Sequence, residues 1–137
     1  MSVAQYDRHE GRLEVLEHSR RLLDYTLTII NNEKNFPKRD RWILTKPIID
    51  ETMNLVTSIR KANSVLVQSD VDYNCRRRFQ VDAFASLSAL LTLIDAAYRH
   101  MHLDSKKIEH WTGLCVETGN KLKAWMKADR ERYSNKA

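Results

Sequence analysis

The heptapeptide Phe36-Pro37-Lys38-Arg39-Asp40-Arg41-Trp42 gathers residue types suited to holding an anion. Pro37 disfavours helical geometry at Phe36, so a preceding helix should stop there. Lys38, Arg39 and Arg41 then place three cations at the entry to the next helix, the end at which the macrodipole favours negative charge. Cations collected there point to an anionic partner, with a solvated basic turn as the competing reading. A second cluster, Arg76-Arg77-Arg78, splays its side chains about 100° apart on a helix, so the three cannot all meet one partner. With Phe79 turned to the core, Arg76 and Arg77 are expected to point outward. Lys46, Arg60, Lys61, Lys121, Lys123 and Lys127 complete the candidate nucleic-acid-binding set. Such cations contact phosphates without reading bases. Trp42 and Tyr73 lie beside basic clusters and could stack on bases, although capping the end of a bundle is the favoured role for Trp42.

Charge distribution supports an anionic partner. Residues 34–78 carry ten Lys/Arg against five Asp/Glu, whereas residues 1–33 carry four against six and residues 79–137 nine against seven. The excess of the +5 chain therefore sits in its middle, as a nucleic-acid footprint would.

Catalytic and metal-binding patterns are missing. A di-iron bundle needs Glu-x-x-His pairs, but the residues three before His9, His18, His100, His102 and His110 are Tyr6, Val15, Ala97, Arg99 and Lys107. Cys75, Cys115, His100, His102 and His110 show none of the usual zinc-ligand spacings. No phosphate-binding glycine loop, His-Glu-x-x-His or Gly-x-Ser-x-Gly occurs. Gly113 and Gly119 are expected to serve close helix packing. Cys115 reads as a small core residue. The expectation is a protein that is not an enzyme and carries no cofactor or metal.

The elements that must position the cations are helical. Three Gly and two Pro among 137 residues are too few for the turns of an all-β fold. Four segments carry helical periodicity, at about 10–33, 38–67, 72–101 and 105–130. In the first, Val15, Leu22 and Ile29 and the row Leu16, Leu23 and Ile30 recur every seven residues. In the second, Ile48, Thr52, Leu55, Ile59, Ala62 and Leu66 share a face, and Pro47 should bend the helix so that 38–46 forms a partly separate leading turn. In the third, Phe79, Ala83, Leu87, Leu90, Ile94, Ala97 and Met101 align, with small residues in the middle that allow close approach. The fourth begins at Asp104 or Ser105 and runs through Ile108, Trp111, Cys115, Thr118, Leu122 and Trp125, and its tail should fray from Asp129. The pattern predicts one domain, 1–137, an all-α antiparallel up-down four-helix bundle. Leu91, Leu93, Tyr98, Leu114 and Met126 lie off the ladders, and this second apolar face predicts a homo-oligomer. The opening Met1-Ser2-Val3-Ala4 shows no leader, and the longest uncharged run, 83–94, is short for a membrane span. A cytoplasmic protein without membrane contact is expected.

The chain resembles the four-helix-bundle proteins encoded in intervening sequences of 23S ribosomal RNA genes and the accessory variability proteins of diversity-generating retroelements. The resemblance spans about residues 10–127. It is carried by the Phe36–Trp42 entry, the small-residue-rich third helix, and the ending Lys121-Leu122-Lys123-Ala124-Trp125-Met126-Lys127. It implies a non-enzymatic homopentameric barrel that binds RNA, with DNA as a second candidate, and associates with a reverse transcriptase. Lys38, Arg39 and Arg41 are the residues to which that role carries over. The intervening-sequence type implies RNA binding or scaffolding without a polymerase. Pro47 departs from the family pattern.

Overall fold

The computed structural model describes the backbone of residues 2–101 and 103–133, and side chains among them from residue 12 onward. All of the long elements are helical, and no strand occurs among the described residues. The helices are α1 (Ser2–Ile30), α2 (Lys46–Ser64), α3 (Asp70–His100) and α4 (Ser105–Tyr133). The arrangement is consistent with a four-helix bundle. α1 packs on α2 and α4, and α3 packs on the same two.

Between α1 and α2, Phe36 closes the turn. Its N–H bonds to the Asn32 carbonyl at 2.9 Å, and its side chain is buried edge-to-face against Trp111 with ring centroids 6.2 Å apart. Pro37 is extended, at φ −60° and ψ 151°. Residues 38–45 do not belong to α2. Lys38–Asp40 forms a 3-10 turn and Arg41–Thr45 a π turn, in which the Lys46 N–H reaches back to the Arg41 carbonyl. Pro47 has no N–H to offer, and it sits in the first turn of α2, where the missing donor costs nothing. The wider π turn just before it absorbs the change of register.

Helix starts follow their caps. The Ser69 hydroxyl accepts from Asp72 N–H at 3.2 Å while the Asp72 carboxylate accepts from Gln68 N–H at 3.0 Å, so α3 begins at Asp70. Asp104 accepts from Lys106 N–H at the start of α4. α1 begins eight residues before the expected start and stops at Ile30 rather than 33.

The core is built from Val15 and Leu22 of α1, Ile48, Leu55 and Ile59 of α2, Ala83, Leu90 and Ile94 of α3, and Trp111, Cys115 and Leu122 of α4. A buried relay holds α4 on α1: the Trp111 indole donates to Thr26 Oγ1 at 2.9 Å, and that hydroxyl donates to the Leu22 carbonyl at 2.7 Å. Glu14 meets Lys121, His18 faces Glu117, and Thr26 meets Trp111, so ascending positions of α1 face descending positions of α4.

Several expectations are corrected. Leu66 is exposed, because α2 ends at Ser64 and Val65 is extended at φ −78° and ψ 119°. Four of the residues expected on a second apolar face, Leu91, Leu93, Leu114 and Met126, pack against the edge of the core, leaving Tyr98 exposed. A Cβ on Gly119 would meet Leu87 Cδ2 at 3.0 Å, whereas one on Gly113 would meet nothing within 4 Å. Close packing therefore explains Gly119 alone. α4 continues past Asp129, which is buried and ion-paired rather than frayed.

Candidate nucleic-acid interface

The entry to α2 projects its cations outward because Phe36 anchors the chain from behind. Lys38, Arg39, Arg41 and Lys46 are all exposed. Lys38 lies 3.5 Å from Glu33, Arg39 lies 3.8 Å from Asp40, and Lys46 lies 2.7 Å from Asp50. Such exposed pairs contribute about 0–1 kcal/mol and exchange readily for a stronger anion. Arg41 has no acidic partner among the described residues. A small cleft of about 130 Å³ opens here, with Lys38, Arg41, Thr45, Pro37 and the acid Glu33 in its wall. The Thr45 hydroxyl is buried without a hydrogen-bond partner. Lys38 and Arg41 on one concavity can hold a phosphate oxygen that displaces Glu33 from Lys38.

Trp42 overturns its expected role. It is 73% exposed, next to Ile43 at 71%, and caps nothing. The π turn rotates both side chains away from the core. Tyr73 shows the opposite outcome: it is buried, with its ring 5.4 Å from that of Tyr133, and is withdrawn from base stacking.

The Arg76–Arg78 run splits in three. Arg76 does not point outward; it is 2% exposed. Its Nη1 donates to both carboxylate oxygens of Asp129, the shorter contact being 3.2 Å, and its Nη2 donates to the Val65 carbonyl at 2.6 Å. Gln80 Nε2 donates to the same carboxylate at 3.1 Å, and the guanidinium lies between the rings of Trp125 and Tyr133. This guanidinium ties the end of α2, the start of α3 and the end of α4 together. Arg77 is half-buried, and of the three only Arg78 is exposed.

The other predicted cations fall on different faces. Lys61 lies over the Phe79 ring at 6.0 Å and Lys123 over Phe84 at 5.3 Å. Lys121 turns to α1, where its ammonium meets Glu14 at 2.8 Å. That hydrogen bond and charge hold the Glu14 carboxyl below its ordinary value and lift Lys121 above its own. The Glu14 contribution is lost as pH falls through its lowered value, and the Lys121 contribution as pH rises through its raised one. Arg60 and Lys127 are exposed.

Asp129 and Gln80 escaped the sequence reading, although the signal was present. Extending the 3-4 spacing of α4 by one step reaches Asp129 from Trp125. Extending that of α3 backward from Ala83 reaches Gln80, Arg76 and Tyr73. Their polarity disguised them as surface residues.

Other chemistry-bearing residues are dispersed. Cys115 is buried, and burial pushes its thiol up to about 12, while Cys75 is exposed. His110 packs against Tyr25, and His102 lies outside the described residues. Among the described residues no three His, Cys, Asp or Glu side chains converge as a metal site would require. α3 contains a window of mean hydropathy 1.4, long and apolar enough by length and composition to cross a membrane, a test that the core helices of many soluble proteins also pass. No family model and no curated protein matches this chain.

Proposed function

We propose that this protein is a non-enzymatic, basic, oligomeric nucleic-acid-binding accessory protein, acting in the cytoplasm with a retroelement reverse transcriptase and its template RNA. The observation that carries the reading is the Lys38–Arg41–Thr45 cleft beside exposed Trp42. Cations of unequal neutralisation and a free indole face combine phosphate contact with base stacking. The antiparallel up-down order is supported by the reversed register between α1 and α4. A homo-oligomer is supported by a second cleft, between α2 and α3, where Pro47, Ala89 and Leu93 lie beside Asp50 and Glu51. The pentameric barrel and the polymerase partner rest on the family resemblance.

A salt titration of RNA binding tests the reading. Affinity should fall steeply with salt, and replacing Lys38, Arg39 and Arg41 with Ala should reduce the log–log slope by about 0.7 for each lost phosphate contact to single-stranded RNA. Absence of binding at low salt overturns it. Co-purification with or without a reverse transcriptase separates this role from the polymerase-free intervening-sequence type.

A further inference from the structure

A cleft of about 520 Å³ runs between α1 and α2, away from the α2 entry. Leu13, Leu16 and Val56 form its apolar lining, and Leu13 is half-exposed. Ser19 adds no free polar group, because its hydroxyl is buried and donates to the Leu16 carbonyl at 2.9 Å. Arg20 from α1 and Arg60 from α2 flank this lining, both exposed and neither in an ion pair among the described residues. The lining also includes Glu17, whose carboxylate accepts from Arg21 at 2.7 Å. Among the described residues, two unpaired arginines on separate helices thus border one apolar trough whose lining acid, Glu17, is engaged by Arg21.

We propose that this cleft is a docking groove for an acidic amphipathic helix of a partner protein, with leucine-type side chains in the trough and carboxylates on Arg20 and Arg60. Guanidinium groups bind carboxylates bidentately, so an occupant acidic on both flanks satisfies both arginines. From Leu13 to Arg20 the trough follows α1 for about 10 Å, roughly two helical turns. An occupant of that length offers the i, i+3, i+4 and i+7 anchors of helix-in-groove recognition. Nucleic acid fits less well. The lining carries no aromatic ring on which a base could stack. The inference concerns a different cleft from the Lys38–Arg41 segment, and it assigns Arg60 to this groove rather than to the nucleic-acid set.

The test uses the full chain and labelled three-turn helical peptides bearing leucines on one face and either glutamates or lysines beside them, followed by fluorescence anisotropy. The glutamate peptide should bind and the lysine peptide should not. Arg20→Glu with Arg60→Glu should weaken the glutamate peptide by about tenfold or more and admit the lysine peptide. Leu13→Asp should weaken the glutamate peptide on the unmodified chain and the lysine peptide on the double variant. Equal binding of the two peptides, or none, overturns the proposal. Displacement of the glutamate peptide by oligouridine, with oligouridine binding lost in the double variant, makes the cleft a nucleic-acid site instead. Dissociation of an oligomer by the double variant in sedimentation velocity assigns the groove to a second copy. If the double variant fails to fold, the discrimination between the two peptides by the unmodified chain still decides.

Discussion

The guanidinium of Arg76 and the carboxylate of Asp129 meet at 3.2 Å with side-chain exposures of 3% and 1%, 53 residues apart in sequence. Arg132 approaches the other carboxylate oxygen at 3.8 Å, and Gln80 completes the set of donors. Two charges sealed from water are tolerable only as a hydrogen-bonded pair, so neither can change alone.

Asp129→Ala should therefore destabilise the fold by about 3–5 kcal/mol, because it strands a buried guanidinium. Arg76→Met with Asp129→Leu should recover much of that loss by replacing the pair with apolar packing. Urea unfolding of Arg76→Met, of Asp129→Leu and of their double forms the cycle. Additive losses would show that the pair is not coupled.

The two helical glycines of α4 should respond in opposite directions to alanine. Gly113→Ala enters open space and should stabilise by about 0.5–1 kcal/mol through helix propensity. Gly119→Ala drives a Cβ against Leu87 and should cost about 1–3 kcal/mol. Thermal unfolding of both variants checks the contrast, and a shared sign would contradict the packing described.

Cys75 should react with a thiol reagent in the native protein, and Cys115 only after unfolding. The folded Cys115 holds its proton up to about 12 against an ordinary thiol value of 9.0. Its protonated form thus favours the fold below the ordinary value, and that contribution is lost as pH rises toward the folded one. Thiol counting before and after denaturant, repeated at alkaline pH, measures both effects. Two fast-reacting thiols in the native chain would refute the burial.

Trp42→Phe should change stability by no more than about 0.5 kcal/mol, since the indole touches little. It should also remove the fluorescence component most accessible to acrylamide, leaving the shielded Trp111 and Trp125. RNA affinity should fall in the same variant if the indole stacks on a base, by about 1–3 kcal/mol. Quenching that is unchanged by the substitution would contradict the exposure.

Helical class and most of the core were legible from composition and spacing alone. Ile48, Leu55 and Ile59, or Trp111, Cys115 and Leu122, recur at intervals that one helix face imposes, and burial of that face follows from their transfer free energy. Asp104 marked the start of α4 because a cap acts through local backbone chemistry, whereas α1 stops at Ile30, short of the Phe36 end that Pro37 suggested. The cations of 38–46 were legible as a group for the same reason, being neighbours in sequence. The fates of Arg76 and Trp42 were not. A buried arginine and a surface arginine are the same letter, and only the arrival of Asp129 from another helix makes burial affordable. An indole beside a proline is equally ambiguous until the π turn ahead of Pro47 rotates it outward. Pairing across dozens of residues and the direction of a single irregular turn depend on distances that no local pattern encodes, so the tertiary structure alone decided them.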